Sequence, residues 1–146
     1  MKQMAAKDER RRNFGWWMQI ASRWADCDGY GHVNNATYYS WFDTALTSLA
    51  IERGILQAPD QASIGLCIAS SCEFLAPIAF PQTVDVGVRI GHIGASSLRY
   101  ELAMFALEED VPLAFCRFTH VYVDRRTRVG VSLTEAQKAA VRDLLV

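Results

Sequence analysis

The stretch whose reading decides the fold runs from residue 26 to residue 54, DCDGYGHVNNATYYSWFDTALTSLAIERG. Its opening, DCDGYGHVNN, concentrates Asp, Gly and Asn, which accept turn conformations and cap helices, so it reads as a structured loop. From Asn34 onward the pattern changes. Tyr38, Phe42, Ala45, Leu46 and Leu49 recur at helical spacing, and Gly54 supplies the left-handed residue that commonly closes a helix. The spacing predicts the principal helix over residues 34–53, and its apolar middle, ALTSLAI, predicts burial.

Outward from this helix, FGWWMQIASRWA at residues 14–25 places Trp16, Met18, Ile20 and Trp24 on alternate positions, the period of a strand. The charged run before it, with Arg10, Arg11 and Arg12 in a row, reads as a flexible tail over residues 1–13, leaving residues 14–146 as a single domain. On the far side, residues 64–74, 83–93, 96–107 and 113–124 read as successive strands. They are punctuated by Pro77 and Pro81, by Gly94, and by an acidic turn at residues 108–110 followed by Pro112. Such short connections favour antiparallel neighbours, because a parallel crossover needs a dozen or more residues. Thr134 and Gln137 are spaced as a capping box for a short final helix. The order predicts an α+β fold, one antiparallel sheet of about five strands packed on the long helix. Its edge strands would offer unpaired backbone groups to a second subunit.

With 51% hydrophobic and 21% charged residues over 146 positions, the chain can fill an ordinary core. Fifteen basic against sixteen acidic residues leave a net charge of -1, which gives no basic field for nucleic acid. Cys27, Cys67, Cys72 and Cys116 form no C-x-x-C pair and no apolar leader opens the chain, so a cytoplasmic location is expected. Charges or turn residues interrupt every hydrophobic stretch well short of the ~20 residues that cross a bilayer, so no membrane partner is expected.

Several standard sites are excluded by spacing. Gly29 and Gly31 are followed by Asn34 where a dinucleotide fingerprint needs its third glycine, and there is no P-loop, no G-x-S-x-G elbow and no H-E-x-x-H around His32, His92 or His120. Asp26, Asp28 and Gly31 look like the start of a calcium loop, but Tyr30 and Thr37 occupy positions that need oxygen ligands, so no metal is expected. Cys27 lies between two acids that disfavour its thiolate and reads as a packed thiol. What remains is Asp28, a carboxylate just ahead of an apolar helix. On one reading it makes the turn, Gly29 and Gly31 relax it, and Asn34 caps the helix. On the other, the helix N–H groups polarise a carbonyl while the carboxylate acts on its carbon or on a water, an acyl-transfer constellation. The two coexist at Asn34, because capping fixes the helix end that would hold an oxyanion.

The run RWADCDGYGHVNNATYYSWFD at residues 23–43, with SSCEFLAPIAFPQTVDVGVRI at 70–90 and RYELAMF at 99–105, resembles the hotdog-fold acyl-CoA thioesterases of the 4-hydroxybenzoyl-CoA thioesterase type. The resemblance implies a sheet of about five strands wrapped around one long central helix. It implies Asp28 as the catalytic carboxylate, as nucleophile or general base, and Asn35, beside the capping Asn34, as the residue whose backbone N–H meets the thioester carbonyl. Several branches carry His where this chain has Asn35, so an imidazole mechanism does not transfer. Asp26 is expected to support the turn and His32 to brace the loop through its ring nitrogens. His92 and His120 are expected to be structural, and Tyr38 and Trp41 to belong to the helix core, with one bordering the acyl pocket. In the family the site forms where one subunit's helix meets its partner's strand, which makes the Ser70–Ser71 segment the expected second wall. Arg89, Arg99, Arg125, Arg126 and Arg128 are either contacts to coenzyme A phosphates or solvated charges. The implied protein is a cytoplasmic homodimer or homotetramer that hydrolyses acyl-CoA, or an acyl-carrier-protein thioester, to a free acid without metal or redox cofactor. Its rivals are a noncatalytic acyl-CoA-binding or carrier-protein-interacting module of the same fold, and a hotdog enzyme of another reaction such as dehydration.

Overall fold

The computed structural model describes residues 3–56 and 61–146. Apolar residues spaced three and four apart put Tyr38, Trp41, Phe42, Ala45, Leu46, Leu49 and Ala50 on one buried face of α1, Asn35–Glu52. Asn34 starts this helix by accepting the Ala36 N–H on its side chain at 2.9 Å, and Gly54, at φ 74°, follows its end. The strands are β1 (Trp16–Ala21), β2 (Ser63–Phe74), β3 (Thr83–Ile93), β4 (Ser97–Ala106) and β5 (Pro112–Asp124). A short helix, α2 (Glu135–Val141), begins at the reciprocal capping box of Thr134 and Gln137. Trp24, which fits the alternation of β1, lies beyond it in a 3-10 turn and is 79% exposed. The local bonds between Arg23 and Asp26 turn the chain out of the sheet before that position.

All pairings are antiparallel and the strand order is β1-β3-β4-β5-β2. Strands that follow one another are neighbours for β3-β4 and β4-β5 but not for β2-β3. The connection after β2 passes the start of α1, where the Val33 N–H donates to Ile78 O at 2.7 Å, and β2 becomes an edge strand paired with β5. One face of the sheet closes on α1, with Val86, Val88, Leu102, Met104 and Phe118 among its buried contributors. Val141 and Leu144 from the C-terminal segment enter the same core, so α1, 18 residues long, shares the sheet's concave face with a second element rather than filling it as one long central helix.

The opposite face carries a smaller cluster of Ala6, Phe14, Ala103, Phe105 and Phe115 against Trp17. Residues 6–13, expected as a flexible tail, instead form a strap packed there. Glu9 is 1% exposed and takes both oxygens to Arg89 at 2.6 Å, and Arg11 donates to Ala106 O at 2.7 Å and pairs with Asp85 at 2.9 Å. The segment reads as solvated from its charge. Its acid nonetheless finds a buried guanidinium, and Ala6 and Phe14 supply the apolar anchor. Residues 1 and 2 of the expected tail lie outside the described residues.

Candidate active site

The loop ahead of α1 is held by its own backbone. The Asp28 N–H donates to His32 O at 2.8 Å and the Gly31 N–H to Asp28 O at 3.1 Å, a tight turn that places Gly31 at φ 81°, where a side chain would be strained. Asp28 Oδ1 accepts the Tyr30 N–H at 2.8 Å, so one oxygen positions the carboxylate and the other is left for chemistry. Asp26 is 3% exposed and does structural work. It takes the Arg23 N–H at 2.7 Å and the Arg23 guanidinium at 2.8 Å, and its carbonyl receives the Asn34 N–H at 2.9 Å. The hydrogen bonds from Arg23 hold its carboxyl below the usual range against the opposing effect of burial.

Asp28 and Asn35 line one cleft of about 360 Å³ together with His32 and Tyr38, and the segment that follows β2, from Phe74 to Pro77, forms its other wall. Tyr38 is buried and meets Phe74 edge to face at 5.1 Å, with burial raising its hydroxyl pKa. At the helix start the Asn34 side chain takes the Ala36 N–H and the Asn34 carbonyl the Thr37 N–H. The Asn35 N–H has no acceptor among the described residues and stands as a spare donor at the positive end of the helix dipole. A cleft holding a fixed carboxylate and an unused helix-terminal donor has the two parts that acyl transfer needs.

His32 lies at this cleft, but it braces the loop through its backbone carbonyl rather than through its ring. Trp41 is in the core. His120 sits beside Tyr100 at 5.3 Å, lining a separate cavity of about 270 Å³ under the middle of α1, and burial lowers its pKa. Ser70 and Ser71 are exposed on β2 and do not line this chain's own cleft. Arg89 is not available to a ligand: it is enclosed between Glu9 and Glu101. Arg125, Arg126 and Arg128 are exposed at the end of β5, whereas Arg99 lies on the outer sheet face. The wall from Phe74 to Pro77 escapes sequence reasoning, because its apolar and proline residues look like any strand exit and only the tertiary crossing brings them to the helix start.

The fold and the cleft define a hotdog-type thioesterase scaffold. The family model for the thioesterase-like superfamily matches residues 22–141, and the chain belongs to that family. Among solved structures it is similar to the PA5185 protein of Pseudomonas aeruginosa strain PAO1, with 42% identity, 94% of this chain and 96% of that one covered, and a TM-score of 0.89. It shares the fold of Slr0204, a 1,4-dihydroxy-2-naphthoyl-CoA thioesterase from Synechocystis, at 20% identity over 88% of this chain and 96% of that one, TM-score 0.79. A curated relative, the uncharacterized protein YsmA of Bacillus subtilis strain 168, is 21% identical over 130 residues, 89% of this chain and 87% of its own. No helix among the described residues is long and apolar enough to cross a membrane.

Proposed function

We propose that the protein is an acyl-CoA thioesterase that releases a free carboxylic acid and coenzyme A. The observation that carries this reading is the shared cleft, in which the Asp28 carboxylate, set by the Tyr30 N–H, faces the same space as the spare N–H of Asn35. The thioester carbonyl accepts the Asn35 N–H, and the helix terminus stabilises the charge that develops on its oxygen. Asp28 then either attacks the carbonyl carbon, forming an anhydride that water cleaves, or removes a proton from the attacking water. The thiolate of coenzyme A leaves in both cases. Asn34 fixes the helix end that presents the donor. Membership of the thioesterase-like superfamily and the likeness to a 1,4-dihydroxy-2-naphthoyl-CoA thioesterase support the reaction class.

The working unit is at least a dimer, with the Ser70–Ser71 stretch of one copy walling the cleft of the other. Its location is the cytoplasm, and coenzyme A or an acyl carrier protein brings the substrate. A turnover screen over aliphatic and aromatic acyl-CoAs tests the activity, following acid formation directly because the chain's own cysteines react with thiol reagents. Hydrolysis of at least one panel member is the expected result. Saturable acyl-CoA binding with no turnover across the panel would replace the enzyme with a noncatalytic binding module.

A further inference from the structure

On the outer face of the sheet, opposite α1, two rows of side chains run across β3, β4, β5 and β2. Arg89, Glu101, Arg117 and Ser71 are successive partners in one row, and His92, Arg99, Thr119 and Ala69 in the next. The first row uses up the carboxylates. Glu9 gives both oxygens to Arg89 at 2.6 Å, while Glu101 accepts from Arg89 Nε at 2.9 Å on one oxygen and from Arg117 Nε at 3.0 Å on the other. Arg99 comes no nearer than 3.7 Å to that second, already occupied oxygen and donates Nη2 to Gly91 O at 3.1 Å. Its Nε is buried and has no hydrogen-bond partner. Two carboxylates thus face three guanidiniums, and the surplus positive charge falls on Arg99, whose side chain is 40% exposed.

The backbone is shaped to admit this side chain. A Cβ at Gly91, in the bulge between Ile90 and His92, would stand 2.9 Å from Arg99 Nε and 2.7 Å from Glu101 Cδ, so only glycine leaves room for the guanidinium there. Next to it lies a depression of about 230 Å³ lined by Ala69, Ser70, Ser71, Arg99, Arg117 and Thr119. The lining consists of two guanidiniums, three hydroxyl residues and one methyl, with no carboxylate. Guanidinium and hydroxyl donors around an uncompensated charge suit a tetrahedral oxyanion.

We propose that this depression binds a phosphate group, with Arg99 as its principal cation and Arg117, Thr119 and Ser71 as further donors. The shared chemistry is a phosphate, either a free anion or one carried by coenzyme A; the second source rests on the acyl-CoA reading above. Titration calorimetry of the intact protein with inorganic phosphate, coenzyme A and dephospho-coenzyme A, repeated with Arg99→Gln and Thr119→Val, tests the site. The expected result is saturable binding that Arg99→Gln weakens about tenfold, as for loss of one charge-assisted bond, and Thr119→Val weakens several-fold. Tighter binding of coenzyme A than of its dephospho form, with the gap lost in Arg99→Gln, assigns the nucleotide phosphate. Equal weakening of both by Arg99→Gln assigns the diphosphate, and Arg99-dependent binding of inorganic phosphate alone assigns the free anion. Wild-type affinity in both variants, or no binding of any of the three probes, overturns the proposal. Hydrolysis of a truncated acyl-pantetheine by the unmodified protein tests the thioesterase reading separately. An inactive protein that binds phosphate through Arg99 rejects that reading alone, and an active one whose ligands ignore Arg99 rejects this site alone.

Discussion

Asp28 and Asp26 are two residues apart and do opposite work, so replacing each by its amide separates chemistry from architecture. Asn at position 28 keeps an oxygen for the Tyr30 N–H and nearly the same shape, but it loses the anionic oxygen needed for attack or proton removal. Asp28→Asn is expected to keep its circular dichroism spectrum and most of its acyl-CoA affinity while single-turnover hydrolysis falls by roughly 10²–10⁴-fold. Near-normal turnover in the folded variant would remove Asp28 from the chemistry. Asp26→Asn is expected to cost less turnover and more stability, because it weakens the bonds to Arg23 that hold the loop below the helix. Since the Asp26 carboxyl is held below its ordinary 3.8, its contribution is present above that value and is lost as pH falls through the lowered one. Melting temperatures of the two proteins should therefore converge in acid. A gap that persists at the lowest pH at which both fold would contradict that account.

At the scale of elements, the N-terminal strap depends on the triad of Glu9, Arg89 and Glu101, whose side chains are 1%, 10% and 4% exposed. Arg89→Met would leave two buried carboxylates facing each other's surroundings without a cation, and breaking a buried pair this way costs about 3–5 kcal/mol. Urea unfolding should show that loss, whereas a change below about 1 kcal/mol would mean that the strap contributes little. Burial by itself would raise the Glu9 carboxyl, but the hydrogen bonds from Arg89 and Asn13 win and hold it below its ordinary 4.5. The strap's contribution is thus complete above about that value and is lost as pH drops further. The strap is also where reading the sequence fails. Elements whose signals are local were legible: the 3.6-residue period and Asn34 cap of α1, the capping box of α2, and the alternation that marks β3 to β5. The Asp28 loop was legible for the same reason, because its turn, its glycines and its cap lie in one short run. Glu9 reads as a solvated charge because its partner Arg89 lies 80 residues on. The edge position of β2 and the cleft wall from Phe74 to Pro77 were hidden likewise, since both follow from pairing β2 with β5 rather than with β3.

For the whole molecule, that same pairing decides how copies meet. The sheet ends in β1 on one side, six residues long, and in β2 on the other, twelve residues long. Residues 65–71 of β2 are exposed on both faces, and the bulge between Cys67 and Ala69 leaves Ile68 without a β5 partner and 64% exposed, near Leu66 at 37%. A long edge strand with apolar side chains and no cover is a template for a second strand, and a second β2 is the occupant with the matching length. Edge-to-edge pairing about a two-fold axis would also bring a copy's Ser70–Ser71 stretch towards the site that the single chain leaves open. The protein is accordingly expected to scatter light as at least a dimer across a range of concentrations. Ile68→Asp places a charge in the middle of that contact and should shift the population to monomer without unfolding it, because the side chain is exposed in the single chain. If the cleft is completed by the partner, turnover should fall in step with the dimer fraction and recover on raising the protein concentration, although Asp28 and Asn35 are untouched. An Ile68→Asp monomer with full activity at every dilution would reject the shared site while leaving the fold and the Asp28 chemistry in place.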